Sequence, residues 1–155
     1  MESYEAPIYV NMIEMEEYTD FDGEKERQDE LGAFFTPEPL VKKMYENITD
    51  FSGDFFDPCA GEGNLLVYAL NKKIENEEAD KAITEIYGCE LDKDVYSNLV
   101  KKMSDWAEIH KCKKSSIDTM KKHFVNGDFL LFRGFDDNGN SLGFTNNKNF
   151  HFGKI

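Results

Sequence analysis

Apolar residues along this chain follow two spacings, which together predict alternating strands and helices. Short apolar runs bounded by turn residues are typical of buried strands, whereas apolar positions recurring every three or four residues indicate helices. In chain order these patterns predict a helix over about 37–48, a strand over 54–57, a helix over about 64–74, a strand over 86–91, a helix after Asp92, a strand over 123–126 and the start of a fourth strand over 150–155. Strands alternating with helices favour a parallel, doubly wound α/β sheet.

Two of the predicted helices have recognisable start signals. Thr36 is a suitable N-cap for the first helix, and Pro37 suits its first helical position. Asp92 is expected to cap the third helix, whose buried stripe comprises Val95, Leu99, Met103 and Trp106. The remaining segments are interpreted as connections: a polar one over 76–81, a basic one over 111–122 interrupted by Ser115 and Ser116, and a turn over 136–141.

Negative charge is concentrated near the start of the chain. Residues 1–30 hold eleven acidic side chains against Lys25 and Arg27, and so supply −9 of the net charge of −13. Because contacts from Lys and Arg to phosphate dominate nucleic-acid affinity, this stretch is expected to repel DNA. This stretch is either a solvated leader or an interaction surface. As an interaction surface, it would bind a basic partner or act as an acidic decoy. We therefore divide the chain into an acidic leader over 1–30 and an α/β domain over 31–155.

Composition narrows the class of protein further. No run of about 18 apolar residues is present, so no membrane span is expected. Cys59, Cys89 and Cys112 are widely spaced and form no CxxC pair, which predicts neither a disulfide framework nor a zinc site and fits a cytoplasmic protein. Cys59 and Cys89 are expected to be small buried apolar residues. Ser141 and Asn147 stand where a calcium loop needs Gly and Glu, so no metal site is expected.

Candidate chemistry falls at the carboxyl ends of three successive predicted strands, where open α/β sheets bind ligands. After the first strand, Gly61 and Gly63 allow a ligand to approach the backbone closely, and the following helix N-terminus favours a carboxylate. Glu90, which ends the second strand, can accept hydrogen bonds from both hydroxyls of a ribose. After the third strand, Asp128 can accept from an exocyclic amine, and the Phe129 ring can cover a purine.

The three strand ends together predict a pocket for an adenosine that carries an amino-acid tail. A nicotinamide dinucleotide is the rival ligand for a glycine-rich turn of this kind. The stretch from Gly61 to Leu66, however, has Leu66 where the G-x-G-x-x-G pattern places its third glycine. The sequence therefore favours the adenosine with an amino-acid tail over the dinucleotide.

The same segments resemble the amino-group DNA methyltransferases, particularly the adenine-N6 enzymes, over about 32–132. Residues 32–37 (GAFFTP) are similar to the motif that opens that family's domain, and residues 57–65 (DPCAGEGNL) match its D-P-x-A/C-G-x-G-x-L/F loop. Glu90 and Leu91 match its ribose-binding acid and the apolar residue after it. Residues 127–129 (GDF) match its adenine-binding segment.

This resemblance implies a Rossmann-like fold with a mostly parallel sheet and S-adenosylmethionine (SAM) as the cofactor. By the same likeness, the methionine part of SAM would contact Phe35, Thr36, Asp57 and Gly61. Glu90 would hold the ribose. The adenine would lie among Leu91, Asp128 and Phe129.

One motif of that family is missing from the sequence. The family's catalytic step uses an Asn- or Asp-Pro-Pro-aromatic motif after the fourth strand, where its aromatic ring stacks on the flipped base. The four prolines here are Pro7, Pro37, Pro39 and Pro58, and no two are adjacent. The chain is therefore expected to be truncated after its fourth strand and inactive alone.

Two kinds of partner follow from that expectation. DNA would be engaged through a missing C-terminal part or a partner subunit, and a protein partner could meet the acidic leader or the open sheet edge. The alternative function is a non-catalytic module that binds SAM, or an acidic, anti-restriction-like module that binds a partner.

Overall fold

The computed structural model describes residues 36–145, which divide into two compact units between Ile48 and Thr49. Within the first unit the described residues form helix α1 (Glu38–Met44). The N-cap of α1 is Pro37, whose carbonyl accepts from the amides of Leu40 and Val41. The expected cap at Thr36 is therefore wrong by one residue. The expected helical end near residue 48 is also wrong, because the chain leaves the helix at Tyr45.

The described residues of the second unit form a three-stranded parallel sheet flanked by four helices. In chain order its elements are β1 (Phe55–Asp57), α2 (Asn64–Lys73), α3 (Ala79–Thr84), β2 (Ile86–Glu90), α4 (Lys93–Ile109), α5 (Lys114–Lys122), β3 (Phe124–Asn126) and a 3₁₀ turn (Phe129–Leu131). The strand order is β1-β2-β3, with Phe55 opposite Ile86 and Gly88 opposite Phe124. This arrangement confirms the expected α/β Rossmann-like fold with a parallel sheet. The predicted fourth strand over 150–155 lies outside the described residues.

One apolar core joins the four helices to one face of the sheet. Phe55, Ile86 and Phe124 point to this face from the three strands. Against them pack buried residues of every helix: Leu66, Leu70, Ala82, Ile83, Leu99, Met103, Trp106, Ala107 and Met120. The buried stripe predicted for the helix after Asp92 is confirmed. Its cap is confirmed as well, since the Asp92 carboxylate accepts from the amides of Asp94 and Val95.

The opposite face of the sheet meets aromatic side chains from the segment after β3. The ring of Phe56 lies 5.7 Å from that of Phe129 and 6.2 Å from that of Phe135. Tyr87 stacks on buried His123, with ring centroids 3.9 Å apart. These aromatic side chains cover the face only in part, because Phe56 and Phe129 remain 44% and 40% exposed.

Two helices lie where the sequence predicted connections. Helix α3 occupies the end of the segment interpreted as polar, and α5 occupies most of the basic stretch. They are joined by Asp80, whose Oδ1 accepts from the Lys113 amide at 2.8 Å and the Ser116 hydroxyl at 2.6 Å. Because this cap comes from a residue more than 30 positions away, the local pattern gave no start signal for α5.

A buried lysine fixes the loop before β1. Lys73 is fully buried and donates to Glu85 Oε2 at 2.6 Å and to the carbonyl of Gly53. Its ammonium also lies 5.0 Å from the centre of the Phe55 ring. Since a buried charge must be paired and hydrogen-bonded, Lys73 joins α2 to the segment that leads into β1.

Candidate functional site

The carboxyl ends of the three strands lie side by side at one edge of the sheet. Asp57, the last residue of β1, is opposite Gly88, and Glu90, the last residue of β2, is opposite Asn126. The carboxylates of Asp57, Glu90 and Asp128 all lie close enough to the Cys59 thiol to affect its pKa. Partial burial raises this pKa, and the negative charges of the three carboxylates raise it further. The structure thus brings together the three acids predicted from the sequence.

The turn between β1 and α2 is held by hydrogen bonds at both ends. Asp57 Oδ1 accepts from the Cys59 amide at 3.0 Å, and the Ala60 amide donates to the Cys89 carbonyl at 2.9 Å. Gly61 and Gly63 follow with φ of +55° and +90°, in the left-handed region that favours glycine. The turn can adopt this path because neither residue has a Cβ.

Gly63 also packs tightly against helix α4. A Cβ added at this position would lie 2.5 Å from Met103 Cε and 2.7 Å from Leu99 Cδ1. These separations are far shorter than van der Waals contact, so a side chain here would force the buried side chains of Met103 and Leu99 to shift. The second glycine therefore serves the packing of the fold, in addition to any part in the pocket predicted for it.

Glu90 connects the first and second strand ends through its carboxylate. Its Oε2 accepts from the Gly61 amide at 2.9 Å, and its Oε1 accepts from the Asp92 amide at 3.0 Å. A carboxylate oxygen can accept more than one hydrogen bond, so these two contacts leave capacity for hydroxyl donors. The acid is thereby held in one orientation at the centre of the site.

The third strand end contributes Asp128 and Phe129. Asp128 Oδ1 accepts from the Leu130 amide at 2.9 Å and caps the 3₁₀ turn that carries Phe129. Phe129 and Leu91 follow β3 and β2 and are 40% and 70% exposed. Exposed apolar side chains beside carboxylates suit a ligand that has both an apolar ring and hydrogen-bond donors.

The acid groups of the site favour a positively charged ligand. Burial raises the pKa of Asp57, although its hydrogen bond from Cys59 lowers it, and the negative charge of Glu90 raises it again. A cation placed between the carboxylates would relieve this repulsion. SAM carries such positive charge on its sulfonium and ammonium groups, so the acids present at the site fit this cofactor.

Two further residues, Phe35 and Thr36, were predicted to contact the methionine part of SAM. Thr36 is described in the first unit, whereas the acids belong to the second. Phe35 lies outside the described residues. The roles inferred for both residues stay predictions.

Sequence reasoning missed one residue at the site, Asn126, and was wrong about the burial of another, Cys59. Asn126 donates through Nδ2 to the carbonyls of Glu90 at 2.8 Å and Leu91 at 3.1 Å. The only feature of the sequence that pointed to Asn126 was its position at the end of a predicted strand, two residues before Asp128. Cys59 is exposed, so the expectation that it is buried is wrong, whereas the same expectation for Cys89 is confirmed.

A shallow groove of about 420 Å³ lies beside the site, against helix α4. It has an apolar floor with Trp106 and a rim that includes Lys101 and Lys102, and of the turn residues only Glu62 reaches it. Since this groove lacks the three acids, we place the candidate site at the strand ends.

Two further searches of residues 36–145 concern other classes of site. None of the helices there is both long enough and apolar enough to cross a membrane. The same residues contain no group of three or more His, Cys, Asp or Glu side chains arranged to hold a metal ion.

A parallel sheet whose strand ends carry a glycine turn and an acid defines a Rossmann-like ligand-binding domain. The model of the N-6 DNA methylase family matches residues 14–127, which is well over half of the chain. This chain therefore belongs to the N-6 DNA methylase family, as the sequence motifs indicated. Members of this family use SAM, so the expected cofactor is confirmed.

One curated relative extends this result. The chain is 37% identical over 65 residues to the methylase subunit of the type I restriction enzyme MjaIX from Methanocaldococcus jannaschii. The matched part is 42% of this chain and 12% of the relative. The chain thus spans about an eighth of that protein's length.

Proposed function

We propose that this chain forms the SAM-binding part of an adenine-N6 DNA methyltransferase whose catalytic motif comes from outside these 155 residues. The observation that carries the proposal is the position of Glu90, whose carboxylate is fixed between the glycine turn and the end of β2. An acid at this point is suited to accept the two hydroxyls of a ribose.

The neighbouring residues are assigned to the remaining parts of the nucleoside. Leu91 and Phe129 offer exposed apolar surface to the faces of the adenine. Asp128 already uses Oδ1 to accept from the Leu130 amide, so we assign its Oδ2 to the exocyclic amine. Apolar contact to a ring together with one oriented acceptor gives selectivity for adenosine.

The amino-acid tail of SAM is assigned to the turn after β1. Asp57 and Gly61 border this turn, and Gly63 precedes the first residue of α2. The α2 N-terminus favours the tail carboxylate, while Asp57 attracts the positive charges. The likeness to the family also assigns Phe35 and Thr36 to the methionine part of SAM.

Methyl transfer to DNA requires groups that this sequence does not contain. We propose that a further stretch of polypeptide, in the same protein or a second subunit, supplies the Pro-Pro-aromatic motif and contacts DNA. The relative from M. jannaschii is a methylase subunit of a type I restriction enzyme, which supports a role in restriction–modification. Among the described residues β1 pairs only with β2, so its other edge is open to a further strand.

Calorimetric titration of SAM into the full chain tests the proposal. We expect saturable binding at one site. The Glu90→Ala variant should bind at least tenfold more weakly, since it loses charge-assisted hydrogen bonds to the ribose. The control variant, Glu108→Ala, removes an exposed acid on α4 that has no place in the proposed pocket. Equal binding by the parent and Glu90→Ala, or no binding by the parent, would refute the assignment.

The acidic leader supports a second candidate function, a non-catalytic module that binds a basic partner. Its supporting observation is the net charge of −9 over residues 1–30. Deletion of residues 1–30 separates the two candidates. If the chain is such a module, the deletion abolishes binding to a polylysine probe and leaves SAM binding unchanged. If the leader has no such role, the deletion changes neither.

A further inference from the structure

Asn126 connects two strand ends through its side chain rather than through the sheet alone. It is the last residue of β3 and stands opposite Glu90 in the parallel register. Its Nδ2 donates to the Glu90 carbonyl at 2.8 Å and to the Leu91 carbonyl at 3.1 Å. One amide group therefore contacts two successive peptide groups, those on either side of Leu91.

The need to satisfy buried groups does not explain these bonds. The Glu90 carbonyl already accepts from the Gly127 amide at 3.0 Å, as the sheet continues past β3. Both Asn126 and Leu91 are exposed, so water can reach the Leu91 carbonyl. The Asn126 side chain instead fixes the direction in which the chain leaves β2.

The direction of that turn decides where the ligand groups point. The Glu90 side chain and the exposed Leu91 side chain both start from the peptide that Asn126 holds. The turn is closed on its far side by the Asp92 amide, which donates to Glu90 Oε1. A rotation of this peptide would move the carboxylate and the Leu91 side chain together.

We infer that Asn126 is a positioning residue for the nucleoside half of the pocket, acting on the ligand through Glu90 and Leu91. This inference rests on the proposed function, since it presupposes that the strand ends bind an adenosine. It also predicts a division within the pocket. Asn126 controls recognition of the ribose and adenine, while the turn over residues 57–63 controls the amino-acid tail.

The decisive variant is Asn126→Asp, which keeps the side-chain shape but replaces the donating amide by an oxygen facing two carbonyl oxygens. Asn126→Ala removes the group without adding repulsion. A matched control is Asn76→Asp, which makes the same charge change at an exposed position after α2. Each full-length variant is titrated calorimetrically with SAM and with adenosine, and its unfolding midpoint is measured without ligand.

The positioning role predicts a specific pattern of affinities. Asn126→Ala should weaken SAM and adenosine by the same factor, about five- to tenfold, as expected for the loss of one or two hydrogen bonds. Asn126→Asp should weaken adenosine at least as much, whereas its added negative charge offsets part of the loss for cationic SAM. Asn76→Asp should bind both ligands as the parent does. Asn126→Asp should also regain affinity relative to the parent as the pH is lowered, because a protonated carboxyl can donate to one carbonyl again.

Three results would overturn the inference, and they can be told apart. If both Asn126 variants have lower unfolding midpoints but bind adenosine as the parent does, Asn126 is structural only, and the proposed function stands. If SAM affinity falls while adenosine affinity does not, Asn126 acts on the tail instead. If the parent binds neither ligand, the proposed function itself fails.

Discussion

The Gly61 amide donates to Glu90 Oε2 across 2.9 Å, although the two residues are 29 positions apart in the chain. This bond joins the turn after β1 to the end of β2. Because the same carboxylate also accepts from the Asp92 amide, the acid is held in a single orientation. A site aligned in advance loses less conformational freedom on binding, which favours affinity.

The first prediction concerns this carboxylate. In the Glu90→Gln variant, the side-chain oxygen can still accept a hydrogen bond from one of the two backbone amides, those of Gly61 and Asp92. The side-chain NH₂ group faces the other amide, and because both groups are donors, that hydrogen bond is lost. We expect the free energy of unfolding to fall by about 1 kcal/mol, the usual contribution of one hydrogen bond. Urea denaturation measures this change, with Glu62→Gln as the control for loss of charge. A variant as stable as the parent would show that the Gly61 bond does not constrain the turn.

A second prediction follows from the raised pKa of Asp57. An acid whose pKa is higher in the folded protein binds more protons there than when unfolded, so stability falls as pH rises from its usual value of 3.8 through the raised value. Asp57→Asn removes this loss. The variant should therefore be more stable than the parent at neutral pH, and this advantage should vanish near pH 3.8.

The same substitution should weaken SAM binding, since it removes a negative charge beside the cationic groups of the ligand. Thermal unfolding across pH, combined with SAM titration at neutral pH, measures both effects. Asp118→Asn, at an exposed position on α5, is the control for a general loss of charge. Asp57→Asn would contradict the account if it were less stable at neutral pH, or if it bound SAM as tightly as the parent.

A third prediction concerns His123 and the opposite face of the sheet. Burial lowers the pKa of His123 from its usual value of 6.5, with a smaller lowering from Lys122; a backbone hydrogen bond at Ile86 and the charge of Asp54 oppose this. The unfolded chain therefore binds the proton more readily, so the parent should lose stability as pH falls below 6.5.

His123→Phe should flatten that part of the pH profile. The substituted ring can still stack on Tyr87, although it loses the backbone hydrogen bond at Ile86. Unfolding midpoints between pH 7.5 and pH 5 provide the measurement, and His110→Phe outside the sheet is the comparison. An unchanged slope for His123→Phe would show that this histidine does not titrate with unfolding.

The fourth prediction separates backbone strain from packing at the glycine turn. Gly63 and Gly134 have nearly equal φ of +90° and +92°, but a Cβ at Gly134 would meet no atom within 4 Å. Gly134→Ala should cost only the left-handed strain, about 1–2 kcal/mol. Gly63→Ala should cost a further ~1–3 kcal/mol, because the added methyl collides with Met103 and Leu99. Chemical denaturation of both variants tests this, and equal losses would refute the packing role.

The sequence predicted the centre of the site better than its surroundings. Gly61, Glu90 and Asp128 each follow a short apolar run, and the parallel sheet brings such positions together by topology alone. The contribution of Asn126 was invisible, because it depends on the register of β3 against β2. No sequence pattern indicates which backbone carbonyls an asparagine at a strand end will contact.

Helix α3 was missed for a related reason. It is only six residues long, and of these Ala82 and Ile83 alone are buried, so no apolar repeat is visible over 79–84. Its stability depends on packing against distant elements and on the pairing of Lys81 with Glu77 and Glu85. Short helices of this kind are specified by tertiary contacts rather than by periodicity.

The most direct test of the account is an amide NMR titration of the full chain with SAM. The account predicts that the Gly61, Asp92 and Gly127 amides, which surround Glu90, shift and saturate together at one ligand per chain. Amides along the groove at Trp106 should stay unchanged apart from those next to the turn. Shifts confined to that groove, or none at the three strand ends, would contradict the central claim that these ends form the SAM pocket.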